Sequence, residues 1–159
     1  MKIRAYFLLL SVLLIILYTL VYVPAIPQDS SYHNFADQRA VLGISNAFNV
    51  LSNFPYLVFG VIGVYQYWKA PKLALISSIK RVYLLFYVGV VLVAIGSAYY
   101  HLEPSNERLL WDRLAMSITF MALFSIILAE YVHEQVARWL LMPLLVAGVV
   151  SVLYWSYTE

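Results

Sequence analysis

The chain has 159 residues, of which 64% are hydrophobic and only 11% are charged. Soluble domains carry about 25% charged residues, so this composition excludes a water-soluble surface and predicts an integral membrane protein. The absence of cysteine excludes disulfides and thiolate metal sites. The net charge is only +2, and the cations do not form the basic patch that nucleic-acid binding requires.

Five uncharged stretches approach or exceed the length of about 20 residues that a membrane-spanning helix needs. In chain order they predict helices near residues 5–26, 45–67, 81–101, 111–131 and 138–157. We therefore expect an all-α fold, a polytopic membrane helix bundle with five transmembrane helices.

The first predicted helix resembles a signal peptide at its start, because Lys2 and Arg4 precede the apolar residues. The apolar stretch runs for about 19 residues, longer than the roughly 7–15 residues of a cleavable signal. Residues 1–28 are therefore interpreted as a signal-anchor-like transmembrane helix, with cleavage as the alternative. Residues 29–159 form the remaining membrane domain.

The positive-inside rule predicts the orientation from Lys and Arg in the loops. Seven of the ten Lys and Arg residues fall on the side of the N-terminus, which is therefore predicted to be cytoplasmic. Loops 27–44 and 102–111 then face outward. In a bacterial cell the membrane would be the inner membrane, with the polar loops on its outer face.

Asparagines recur at the start of the second predicted helix. Asn46, Asn49 and Asn53 are spaced by three and four residues, and such groups are costly in a membrane unless they are paired or face water. We expect interhelical hydrogen bonds for Asn49 and Asn53. Asp37 and Asn46 are hard oxygen donors suited to calcium, whereas His33 is expected to be a loop histidine.

A second polar cluster lies in the stretch GSAYYHLEPSNERLLWDR. Ser97 and His101 are four residues apart and would share a helix face. Turn-forming residues at 104–106 predict a helical hairpin that brings Asp112 near His101. Two interpretations follow: an interfacial histidine with a helix-capping aspartate, or a metal site in which a carboxylate or serine orients water.

Other classes of membrane protein fit less well. A transporter or channel would need polar residues through the depth of several helices, whereas here they concentrate near 37–53 and 97–113. A haem-binding bundle would need a second bundle-facing histidine as axial ligand.

The stretch GSAYYHLEPSNERLLWDRLAM resembles the Ser-x₃-His-x₁₀-Asp pattern of the alkaline ceramidase family. FADQRAVLGISNAFNVLSNFPYLVFGVIGV is similar to the beginning of that family's first core helix. The likeness is to bacterial alkaline phytoceramidase-like proteins, within the CREST superfamily of seven-helix membrane hydrolases. It covers roughly residues 30–159.

The resemblance implies a zinc-dependent amidohydrolase that acts on linear amides and cleaves ceramide into a sphingoid base and a fatty acid. His101 matches one of three histidines that hold the family's zinc. Ser97 matches a serine that steadies the oxyanion, and Asp112 an aspartate that orients or deprotonates the water. Some members also hold calcium near the positions of Asp37 and Asn46.

The match has one main departure. In the family a later helix bears two further zinc-ligating histidines at i and i+4, and the last histidine here is His133. We expect about four of the seven core helices plus the N-terminal one, and no hydrolysis by these 159 residues alone. The alternative is a non-catalytic membrane protein that binds lipid or a partner subunit.

Overall fold

A computed structural model describes residues 7, 10–11, 14–15, 17–19, 21–24, 27–69 and 75–158. Over these residues the fold is all-α, as predicted, and the only β-type pairing is an isolated bridge between Val41 and Ile44. The described residues up to Tyr22 are helical and exposed, but the predicted helix at 5–26 otherwise lies outside the described residues.

Five helices follow the loop that begins at residue 27. They are α1 (Ala47–Leu51), α2 (Phe54–Lys69), α3 (Lys80–Leu102), α4 (Asn106–Tyr131) and α5 (Glu134–Thr158). Short 3₁₀ turns at Ser30–His33 and Ser77–Ile79 precede α1 and α3. In the described part of the chain four segments are long and apolar enough to cross a membrane: Ala47–Lys69, Ser77–Leu102, Asn106–Tyr131 and Glu134–Thr158. These confirm the four predicted helices after the first.

Helix α4 begins earlier than residue 111, where it was predicted to start. Ser105 caps it: its backbone is extended and its hydroxyl accepts a hydrogen bond from the backbone N–H of Arg108 at 3.3 Å. Glu107 and Arg108 follow the cap. Charged residues are compatible with the first turn of a helix, but they shorten the uncharged stretch from which the start at residue 111 is predicted. Asp112 therefore lies in the second turn of α4, and the interpretation that it caps the helix is wrong.

Helices α3 and α4 approach closely where α3 carries glycine. A methyl group on Gly96 would lie 3.0 Å from the Trp111 carbonyl oxygen and 3.3 Å from Asp112 Cα. A methyl group on Gly89 would lie 2.4 Å from Thr119 Oγ1. Both contacts are spaced by seven residues on each helix, so they define one antiparallel register, which sets the second turn of α4 against the end of α3.

The main buried cluster lies at the opposite end of the hairpin. There α3, α4 and α5 pack around small residues, with Ala122 and Ala137 fully buried. The Ser125 hydroxyl donates to the Ala137 carbonyl at 3.1 Å and joins α4 to α5. Small side chains and such hydroxyl bonds are typical of helix packing in membranes, so this end holds the helices together while the other end carries the polar cluster.

Candidate active site

The predicted site residues come from two facing helices. Ser97 and His101 lie one turn apart near the end of α3, and Asp112 lies in the second turn of α4. Ser97 and Asp112 are 8% and 7% exposed, and the Ser97 hydroxyl neighbours the Asp112 carboxylate. The structure thus brings a buried serine and a buried carboxylate together, with the imidazole one turn further along the same face of α3.

Two buried side-chain atoms have no hydrogen-bond partner among the residues that the structure describes: His101 Nδ1 and Asp112 Oδ1. A buried polar atom left unpaired costs roughly 1–3 kcal/mol, and the great majority of such atoms in native proteins are paired. The two unpaired atoms belong to two of the three residues that the sequence singled out. They are therefore available to a water, a ligand or a metal ion.

The loop before α1 packs over the end of α3. The Phe35 ring meets the His101 imidazole edge-on, with centroids 4.8 Å apart. Asn46 adopts a left-handed backbone with φ of 48°, a conformation that asparagine tolerates better than most residues. Its Nδ2 donates to the His101 carbonyl at 2.9 Å, one of the helix-end carbonyls that lack a partner within α3. The loop therefore fixes both the backbone and the ring of His101.

His33 joins the same loop to both helices of the hairpin. Its Nδ1 lies 2.9 Å from the Tyr100 hydroxyl, and its Nε2 lies 2.8 Å from Asn106 Oδ1. With the amide oxygen as acceptor, the Nε2 N–H donates to Asn106, while Nδ1 and the Tyr100 hydroxyl share the second hydrogen bond. Both ring nitrogens are occupied, in agreement with a loop histidine. Tyr100 and Asn106 had no signal of their own in the sequence, because their partner is more than 60 residues away.

Replacing His33 should weaken the attachment of the loop to α3 and α4. His33→Ala removes two hydrogen bonds, each worth roughly 0.5–1.5 kcal/mol, and we expect a lower melting temperature in detergent. His33→Gln keeps a donor and an acceptor and should retain part of that stability. His133→Ala is the chemical control at an exposed position: it removes one hydrogen bond to the ring, from the Gln135 N–H, and should lower the melting temperature less than His33→Ala does. Equal melting temperatures for all three variants would show that the two hydrogen bonds of His33 do not stabilise the fold.

The two predicted calcium ligands have other partners in the structure. The Asp37 carboxylate accepts hydrogen bonds from Arg39 Nε at 2.9 Å and Nη2 at 2.6 Å, which lower the pKa of Asp37 to about 2. The Asn46 amide nitrogen is bound to the His101 carbonyl. Calcium takes six to eight oxygen ligands, and Asp37 and Asn46 alone supply too few. Calcium binding at this loop stays a prediction.

The other two asparagines differ from expectation. Asn49 Nδ2 donates to the Asp37 carbonyl in the loop at 2.6 Å. Asn53 Nδ2 donates to the Asn49 carbonyl at 3.0 Å, where the helix breaks at residues 52–53 between α1 and α2. The expectation of interhelical bonds was wrong. The Asn49 amide bonds to a loop carbonyl, and the Asn53 amide bonds to a carbonyl of α1 beside the break.

The site supplies only part of the donor set that a zinc ion needs. His101 Nδ1 and Asp112 Oδ1 are a nitrogen and an oxygen donor that have no hydrogen-bond partner in the described part of the chain. A catalytic zinc usually has three protein ligands. Among the described residues no three His, Asp or Glu side chains come together to hold a metal ion. The site thus fits part of a zinc coordination shell.

The fold and the site define a class: a polytopic α-helical membrane protein with a buried Ser–Asp pair and an imidazole at one end of a helical hairpin. A family model described as Ceramidase matches residues 28–159. The chain therefore belongs to the ceramidase family, and this family resemblance supports a ceramidase-like hydrolase. No curated protein and no solved structure matches it.

Proposed function

We propose that this site hydrolyses the amide bond of ceramide or a related lipid amide, with zinc as cofactor. The proposal rests on the two unpaired buried atoms, His101 Nδ1 and Asp112 Oδ1, in a chain of the ceramidase family. The residues lie within membrane-spanning segments, so a lipid amide would reach them from the bilayer without leaving an apolar environment.

Each residue has a distinct role in this proposal. His101 Nδ1 would be one ligand of the zinc, whose chemistry is to lower the pKa of a water towards about 7. Asp112 Oδ1 would take the proton of the attacking water and pass it to the amine that leaves. The Ser97 hydroxyl would donate to the oxygen of the scissile carbonyl as that oxygen gains negative charge. The other ligands that a catalytic zinc usually has would come from outside these three residues, and the expectation that the 159 residues alone do not hydrolyse ceramide stays a prediction.

Hydrolysis of a fluorescent ceramide is the direct test. The protein is expressed from its whole coding sequence, purified in a mild detergent and supplied with zinc. We expect His101→Ala to abolish turnover and to lower the zinc content of the purified protein. Ser97→Ala should reduce turnover by about 10²-fold, the usual effect of losing one oxyanion donor, with little change in bound zinc.

Two matched variants serve as controls. His133→Ala and Ser151→Ala make the same chemical changes at exposed positions that contribute no residue to the candidate site, and both should keep wild-type turnover. Full turnover in His101→Ala would contradict the assigned zinc ligand. A wild-type protein that neither binds zinc nor cleaves ceramide would favour the non-catalytic, lipid-binding alternative.

A further inference from the structure

A polar cavity lies at the end of the bundle opposite the candidate active site. It has a volume of about 470 Å³ and lies between the end of α2, the start of α3 and the start of α5. Tyr67, Ser77, Ser78, Lys80, Arg81, Arg138 and Leu141 contribute to its walls. The 21 residues between Lys80 and His101, at 1.5 Å each, separate it from His101 by about 30 Å.

Three cations line this one cavity. Lys80, Arg81 and Arg138 are exposed, and none of them forms a salt bridge with a carboxylate that the structure describes, since the ion pairs found there are Arg39–Asp37 and Arg108–Glu103. Lys80 Nζ lies 5.2 Å above the Tyr67 ring. Three convergent positive charges without an anionic partner are a binding surface for an anion.

The neutral groups of the cavity also suit an anion. The Ser77 and Ser78 side chains lie at its wall, and the Ser77 hydroxyl is a group that can donate a hydrogen bond to an anion. Two described acids lie near the cavity: Glu134 accepts a hydrogen bond from the Ser78 hydroxyl, and Glu130 accepts one from the Tyr83 hydroxyl. Three cations against two carboxylates leave an excess of positive charge.

The cavity lies at the boundary of the membrane. Two membrane-spanning segments begin there, at Ser77 and at Glu134. Trp68 and Trp139 are 69% and 72% exposed beside it, as expected of aromatic residues at the lipid headgroup level. Its cations also belong to the side that the positive-inside rule predicts to be cytoplasmic, where anionic lipids attract basic residues.

From these observations we propose that the cavity binds the phosphate of an anionic phospholipid headgroup. Arg81 and Arg138 would form charge-assisted hydrogen bonds to the phosphate oxygens, Lys80 would add a third positive charge, and the acyl chains would run along the apolar surface near Leu141 and the exposed Met142. Basic pockets between the ends of membrane helices are typical sites for such headgroups. The proposal is independent of turnover at the other end of the bundle.

Native mass spectrometry of the whole protein in detergent tests this. Dioctanoyl phosphatidylglycerol should bind with at least tenfold higher affinity than dioctanoyl phosphatidylcholine. Each cation removed should weaken phosphatidylglycerol binding by about fivefold, so Arg81→Gln/Arg138→Gln should weaken it roughly 25-fold. Arg108→Gln, which removes one positive charge at the opposite end, is the control for each single variant and should leave the affinity unchanged.

Arg81→Lys/Arg138→Lys keeps the charge and should retain most of the affinity, which separates loss of the site from misfolding. Equal affinities for the two lipids, or equal effects of the cavity and control variants, would overturn the proposal. Inorganic phosphate at millimolar concentration that displaces the lipid completely would show a free-phosphate site and would overturn the assignment to a lipid.

Discussion

Asp112→Asn is expected to lower ceramide hydrolysis by about 10²–10⁴-fold, the contribution of a positioned general base. The amide has almost the same shape as the carboxylate, so the packing of α4 against Gly96 and Ser97 should persist. What is lost is the proton acceptor, because an amide oxygen is far too weak a base to take a proton from water. The rate of fluorescent ceramide cleavage measures this effect directly.

The same substitution should raise the melting temperature or leave it unchanged. Asp112 is buried, and its Oδ1 makes no hydrogen bond with a described residue. An ionised carboxylate under such conditions destabilises the folded state, and a neutral amide is less costly to bury. We expect a gain of up to about 1–2 kcal/mol. A substitution that raises stability while it abolishes activity identifies a side chain that serves catalysis at a cost in stability.

Asp29→Asn is the control for this prediction. Asp29 is exposed and accepts a hydrogen bond from the Ser31 N–H at 2.8 Å, a bond that asparagine can also accept. Its turnover and its melting temperature should stay close to wild type. Severe destabilisation by Asp112→Asn would instead identify Asp112 as a structural anchor. The melting measurement gives this answer even without turnover.

Composition and apolar length were enough to predict the membrane helices after residue 44, because each spanning helix must present about 20 apolar residues to lipid. The start of α4 was placed too late, since Glu107 and Arg108 lowered the apolar signal while the Ser105 cap determined the boundary. The prediction of one continuous helix at 45–67 overlooks Pro55, which has no N–H to donate to residue 51 and so favours the break that the structure shows at residues 52–53.

Part of the candidate site was equally accessible from the sequence. The four-residue spacing of Ser97 and His101 and the turn at 104–106 predict that Asp112 lies near His101, and the structure places Asp112 beside Ser97, one turn of α3 before His101. The loop contacts could not be predicted in this way. The bonds of His33 to Tyr100 and of Asn46 to the His101 carbonyl join residues more than 50 positions apart, and no local pattern encodes such pairings.

Gly96→Leu is expected to disable the protein by separating α3 from α4. Even the first atom of a side chain at this position would lie 3.0 Å from the Trp111 carbonyl oxygen and 3.3 Å from Asp112 Cα. Both neighbours are backbone atoms, which cannot rotate away, so α4 itself would have to move. Overpacking of this kind costs about 1–3 kcal/mol.

The same movement would carry Asp112 away from Ser97, and a misplacement of about 1 Å can cost 10²-fold in rate. Gly96→Ala should show a milder form of both effects. Gly148→Ala is the matched control: its methyl group would meet the Ser117 hydroxyl at 2.4 Å and Met121 Cγ at 3.0 Å, and both are side chains that can turn aside. We therefore expect Gly148→Ala to keep its melting temperature and its turnover, while Gly96→Ala loses part of each. If the two alanine variants behaved alike, the close approach at Gly96 would not be what positions Asp112.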